Sequence, residues 1–136
     1  MAKQKRIDDY GIRIGELQKG KLNKITDVKG IRVGHCTIDT DESKTGVTVI
    51  LPMEDNIYMN KLIAASYVLN GYGKTLGLVQ IDELGSLESI IALTKTLNVG
   101  LVHEAVVDYM IKESKKEKVE IETINPIVCE CNDGYL

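Results

Sequence analysis

The stretch from Asn98 to about Lys116 constrains the fold more than any other part of this chain. Val102, Ala105, Val106, Tyr109 and Met110 recur at helical spacing, with Glu104, Asp108 and Lys112 between them. A helix of roughly five turns must therefore lay one apolar face against something. Asn98 is a residue type that caps helix starts. Apolar runs on both sides supply the partner surface. Ile90 to Leu97 reads as a strand, and Ile124 to Cys131 reads as another that ends in an Asn132-Asp133-Gly134 turn. Upstream, Thr45 to Leu51 (TGVTVIL) is β-branched and nearly continuous, which suits a strand buried on both faces, and Pro52 ends it.

The remaining segments read less firmly. Val28 to Ile38 resembles a hairpin region with Lys29-Gly30 as its turn. Leu62 to Leu69 (LIAASYVL) is apolar and stops abruptly at Asn70-Gly71-Tyr72-Gly73, which favours a strand. Leu76 to Ile81 is a further short apolar piece before a turn at Asp82 to Gly85. Residues 1–24 are polar and punctuated by Gly11, Gly15 and Gly20, and are expected to form a lead-in arm with short extended pieces. The order, strand-rich, then one long helix, then strand, predicts an α/β fold, and 1–136 is expected to be a single domain.

Composition excludes several function classes. Aromatic residues are 4% of the chain, with six Tyr and no Phe or Trp, so the core must be aliphatic. The formal net charge is -3, and the basic runs are only Lys3 to Arg6 and Lys115-Lys116, so no nucleic acid partner is expected. No run approaches the ~18 apolar residues of a membrane span, so no membrane association is expected. Three cysteines, Cys36, Cys129 and Cys131, are too few and too odd for a disulfide framework and fit a reducing, cytoplasmic setting.

The candidate chemistry is sparse. Cys129-Glu130-Cys131 would place two sulfurs on one side of a strand, yet a zinc site needs about four ligands. Cys36, His35 and His103 are the other candidates, with nothing to place them nearby, so two small buried apolar residues is the preferred reading and no metal is expected. His103 on the helix and His35 at a strand end read as structural. Asn70 to Lys74 lacks the spacing of a phosphate loop and reads as a tight turn. Ser43, Ser66, Ser86, Ser89 and Ser114 show no nucleophile elbow. Glu130 stands out, because a carboxylate in an apolar strand is costly to bury unless paired. It can meet a Lys or Arg of the fold, or it can face a substrate amine.

Six segments in order resemble one family. They are Asn23 to His35 (NKITDVKGIRVGH), Thr45 to Pro52 (TGVTVILP), Asn70 to Gly73 (NGYG), Glu83 to Gly85 (ELG), Thr94 to Gly100 (TKTLNVG) and Glu130 to Leu136 (ECNDGYL). Together they resemble the L-aminopeptidase/D-esterase and β-peptidyl aminopeptidase family, over the first part of its longer precursor. The resemblance implies a four-layer α/β/β/α sandwich like that of the N-terminal-nucleophile hydrolases, with different connectivity, here incomplete. It implies a precursor that cuts itself before a Ser or Thr, whose freed amine serves as base for its own hydroxyl, and release of N-terminal residues from small peptides, amides or esters. On this reading no catalytic residue lies in the chain. The nucleophile would belong to a missing C-terminal part or a second chain, and the 136 residues alone would be inactive.

The resemblance assigns Glu130 to the substrate's free amine and places Asn132 beside the site. It implies no cofactor, and a homo-oligomer. Lys95 and Ile90 depart from the family pattern, where Asn and Pro are usual. A non-enzymatic remnant, or an assembly module that keeps the scaffold, stays open as the alternative.

Overall fold

The computed structural model describes residues 5–134. In chain order the elements are β1 (Arg32–Asp39), β2 (Lys44–Leu51), β3 (Leu62–Ile63), β4 (Thr75–Leu76), α1 (Leu78–Leu84), β5 (Ser86–Leu87), β6 (Ile91–Thr94), α2 (Val99–Lys116) and β7 (Ile127–Glu130). The centre is a five-stranded sheet in the order β1-β2-β6-β7-β4, with a separate two-stranded sheet of β3 and β5. The expected α/β class holds, with one sheet and one helix layer of the sandwich in the described residues.

The long helix forms where its spacing places it. Val99, Val106, Met110 and Ser114 are its buried positions, and Lys115 and Lys116 in the last turn favour the negative end of the helix dipole. Asn98 occupies the N-cap position, but its side chain makes no capping bond. Val102, Ala105, Val106 and Tyr109 line one hollow with Val47, Val49, Leu51 and Ile90, which fixes the sheet face that α2 covers. β6 pairs in parallel with β7, and α2 is part of the crossover such pairing requires. Ala92 and Val128 are register partners, and both are fully buried. Fully burying a side chain the size of Val128 contributes about 1.5–3 kcal/mol.

Four expectations need correction. Among the described residues no strand precedes Gly30; the hairpin is β1 with β2, joined at Thr40 to Ser43, and Gly30 (φ +90°) provides the turn into β1. The apolar run Leu62 to Leu69 keeps only two strand residues, and Ile63 is 99% exposed. Leu76 to Ile81 is not one piece: Gly77 breaks it, and the helix α1 follows, with Ile81 buried. Residues 5–24 contain no strand; a 3-10 turn at Ile7–Tyr10 is the ordered element there, and Arg6 donates to the carbonyls of Leu22 and Asn23. Residues 1–4 of the expected arm, and Tyr135 and Leu136 of the last family segment, lie outside the described residues.

Gly77 is the tightest backbone point beside β7. It has φ +91°, and a Cβ there would collide with the Pro126 carbonyl oxygen and the Ile127 side chain. Gly77→Ala is expected to cost roughly 2 kcal/mol or more, from left-handed strain plus the clash. Urea unfolding checks this, and a midpoint equal to that of the unmodified chain would contradict the packing described.

Candidate active site

Glu130 is the last residue of β7, opposite Thr94 at the C-terminal ends of two parallel strands. Ligands of open α/β sheets gather at such ends. Its carboxylate has two donors. The Lys74 backbone N–H donates to Oε2 at 2.6 Å, and the Thr96 hydroxyl donates to Oε1. Lys74 comes from the turn before β4, where Asn70 Oδ1 accepts from the Tyr72 N–H at 2.9 Å. Thr96 opens the 3-10 turn Thr96–Asn98 that leads into α2. Three sequence-distant segments thus meet at one carboxyl group.

Among the described residues no cation forms an ion pair with it. Among the described residues the ion pairs are Lys19–Asp8, Lys44–Asp39, Lys61–Glu88 and Lys116–Glu113. The Lys74 ammonium instead donates to the Tyr72 carbonyl at 2.6 Å. A carboxylate offers about four acceptor positions, so two donors leave capacity on a half-buried group. The pKa of Glu130 is lowered, first by the Thr96 hydrogen bond and then by the Lys74 N–H. Burial opposes them, and the Lys74 charge adds a smaller attraction.

Asn132 follows two residues later and is exposed. Its Oδ1 accepts from the Gly134 N–H at 2.9 Å, which makes the turn. It lines an open cleft of about 560 Å³ with Cys36, Lys44, Thr94, Lys95 and Asp133. Glu130 is not among the residues lining that cleft, so Glu130 and Asn132 are neighbours in the chain but do not line one hollow. Lys95 sits in this cleft with Asn132, and Ile90 fills a buried core position, so the two departures from the family pattern fall in different environments.

The cysteines do not behave as a buried pair. Cys129 is half-buried, and burial pushes its thiol pKa up, against a hydrogen bond with Thr75; Cys131 lies beyond β7 and is exposed. That corrects the reading of two buried apolar residues, because β7 ends at Glu130. Among the described residues, no three His, Cys, Asp or Glu side chains converge as metal ligands. His35 is exposed, with Nδ1 2.8 Å from the Thr48 hydroxyl, and His103 lies half-buried on α2. Ser89 and Ser114 are buried and hydrogen-bonded within the fold, Ser89 to the Ile90 carbonyl and Ser114 to Asn56.

Sequence reasoning missed both donors to Glu130. A backbone N–H carries no residue signal, and Thr96 was noticed only as part of a family segment. It also missed Glu88. That side chain is 6% exposed and is held by Lys61 and by the Asn125 N–H at 2.8 Å. Burial raises its pKa, but hydrogen bonds from Lys61, Gln80 and Asn125 outweigh that and lower it.

The sequence profile of peptidase family S58 matches residues 23–136. The chain belongs to that family. It is 35% identical over 140 residues to a β-peptidyl aminopeptidase, BapA, of Sphingosinicella xenopeptidilytica, covering 96% of this chain and 34% of the relative. Among solved structures, the PH0078 protein from Pyrococcus horikoshii OT3 superposes with a TM-score of 0.87 at 45% identity, over 97% of this chain and 40% of that one. The L-aminopeptidase D-Ala-esterase/amidase of Ochrobactrum anthropi, described as a prototype for the serine aminopeptidases and a new variant among the Ntn hydrolase fold, gives 0.79 at 30% identity, over 96% and 39%. The chain spans about a third of the length of the curated relatives it matches. None of the described helices is long and apolar enough to cross a membrane.

The lowered pKa of Glu130 has a sign. A carboxyl depressed in the folded state stabilises the fold above its unfolded pKa, and that contribution is lost as pH falls through the folded value. Thr96→Val is expected to raise the Glu130 midpoint toward the ordinary glutamate range and to shrink the acid-side loss of stability. Carbon-detected NMR titration of the side chain reads this directly. An unmoved midpoint would mean that the hydroxyl is not on the carboxylate.

Proposed function

We propose that this chain supplies the amine-binding part of an aminopeptidase, with Glu130 receiving the protonated N-terminal amine of a small peptide, amide or ester. One observation carries the reading: the Glu130 carboxylate is held by two neutral donors, keeps acceptor capacity, and has no cationic partner among the described residues. An ammonium completes such a group, since charge-assisted hydrogen bonds are about twice as strong as neutral ones. Asn132, in the cleft alongside, would contact the substrate beyond its amine. The nucleophile, a Ser or Thr freed by self-cleavage, would come from the remainder of a relative-length polypeptide, so these 136 residues alone bind but do not hydrolyse. Free cysteines fit a cytoplasmic protein.

The test uses the chain itself. NMR titration with alaninamide or β-alaninamide is expected to shift the Lys74 and Thr96 amides, and the N-acetylated analogues are expected to leave them still. Glu130→Gln should weaken free-amine binding at least about tenfold through loss of a charge-assisted hydrogen bond, while the chain stays folded. Equal shifts from blocked and free ligands would remove Glu130 from the site. Turnover of aminoacyl anilides that follows this chain through purification would refute its inactivity.

Self-association is the second expected property, and it would also serve the assembly-module alternative. Leu62 to Gly73 carries no charged residue, and Ile63, Tyr67, Leu69 and Tyr72 are each more than 80% exposed. A surface of that kind favours protein contacts. Light scattering at high concentration is expected to show species larger than one chain, and a stable monomer would contradict this.

A further inference from the structure

We propose that Asn125 is a positioning residue for the Glu130 site, locking β4 against β7 so that the Lys74 N–H is delivered to the Glu130 carboxylate. Its significance for substrate rests on the amine-binding reading above; its structural claim does not.

The strand β4 is two residues long, with Thr75 opposite Cys129 and Leu76 opposite Val128. Independent strands are usually longer, about five or six residues, so this pairing needs anchoring. It is anchored at both ends. At one end Lys74 N–H reaches Glu130; at the other, Asn125 Nδ2 donates to the Gly77 carbonyl at 2.7 Å. Gly77 lies directly after β4 and adopts φ +91°, which lets its backbone approach Pro126 closely. Asn125 therefore sets where β4 leaves the sheet, and Lys74 sits three residues before that point.

Asn125 is itself fixed from the core side. Its backbone N–H donates to Glu88 Oε1 at 2.8 Å, and Glu88 is held in turn by the Lys61 ammonium. Two residues on, the Ile127 N–H donates to Ser89 Oγ at 3.1 Å, and that hydroxyl donates to the Ile90 carbonyl at 2.9 Å. Pro126 between them is fully buried and has no N–H to leave unpaired. The entry to β7 is thus bound at each step, and the Asn125 amide passes that fixity to β4. A side chain without a donor cannot do so, because the Gly77 carbonyl needs an N–H or O–H to meet it.

Hydrogen exchange measured by NMR on the 136-residue chain tests this. In Asn125→Ala, the protection of the Lys74 amide relative to the Ala92 amide is expected to fall at least about tenfold, and the Glu130 titration is expected to move upward. Asn125→Leu keeps the bulk and the backbone bond to Glu88 while removing the donor, and the same changes are expected. Val106→Ala, a cavity variant under α2, is expected to lower the melting temperature while leaving the Lys74-to-Ala92 ratio and the Glu130 midpoint in place. If the ratio is unchanged in whichever Asn125 variant folds, or if Val106→Ala lowers it equally, Asn125 is only a stabilising residue. Neither result depends on whether an amine binds at Glu130, so failure of the functional reading would leave this test intact.

Discussion

The parallel pairing of β6 with β7 beneath α2 is the constraint on which the rest depends. Ala92 and Val128 are buried side by side at its centre, and Val106 and Met110 of α2 belong to the same core. Because the strands run parallel, their C-terminal ends fall together, and Thr94, Thr96 and Glu130 arrive at the same end of the sheet. An antiparallel arrangement would send Glu130 to the opposite end, away from the turn that carries Thr96. The site geometry is therefore a consequence of burying two aliphatic strands under one helix.

That constraint also explains which features could be read from the residues. The α2 periodicity encodes burial, and burial is what hydrophobic patterning reports; the β-branched run of β2 does form a strand, but its residues are only half-buried rather than buried on both faces. Leu62 to Leu69 has equally apolar residues, but only Leu62 and Ala64 pack against the core and only Leu62–Ile63 pair with β5, so the expected strand is cut to two residues. The α1 helix was lost because a helix of seven residues gives too few turns to establish a period. Glu130 was legible as an anomaly, a charge in an apolar strand, and the family resemblance gave it a role. Its donors were not legible, since one is a backbone N–H and the other belongs to a turn whose place depends on β6.

Glu88 and Glu130 show how one fold gives two carboxylates different work. Both have a lowered pKa, and both accept a backbone N–H. Glu88 is nearly sealed from solvent and has the Lys61 ammonium on its other oxygen, so its charge is already met inside the protein. A buried carboxylate matched in this way holds structure, and removing its partner would leave an unpaired buried charge, which is strongly destabilising. Glu130 stands at the strand end, half-buried, with a hydroxyl and an amide N–H that orient it without cancelling its charge. An oriented carboxylate at a strand end, without an ion-pair partner among the described residues, suits cation selection, because its donors already restrict the side chain. Under the proposed amine-binding role, an arriving ammonium would gain a carboxylate that no cation among the described residues already pairs with.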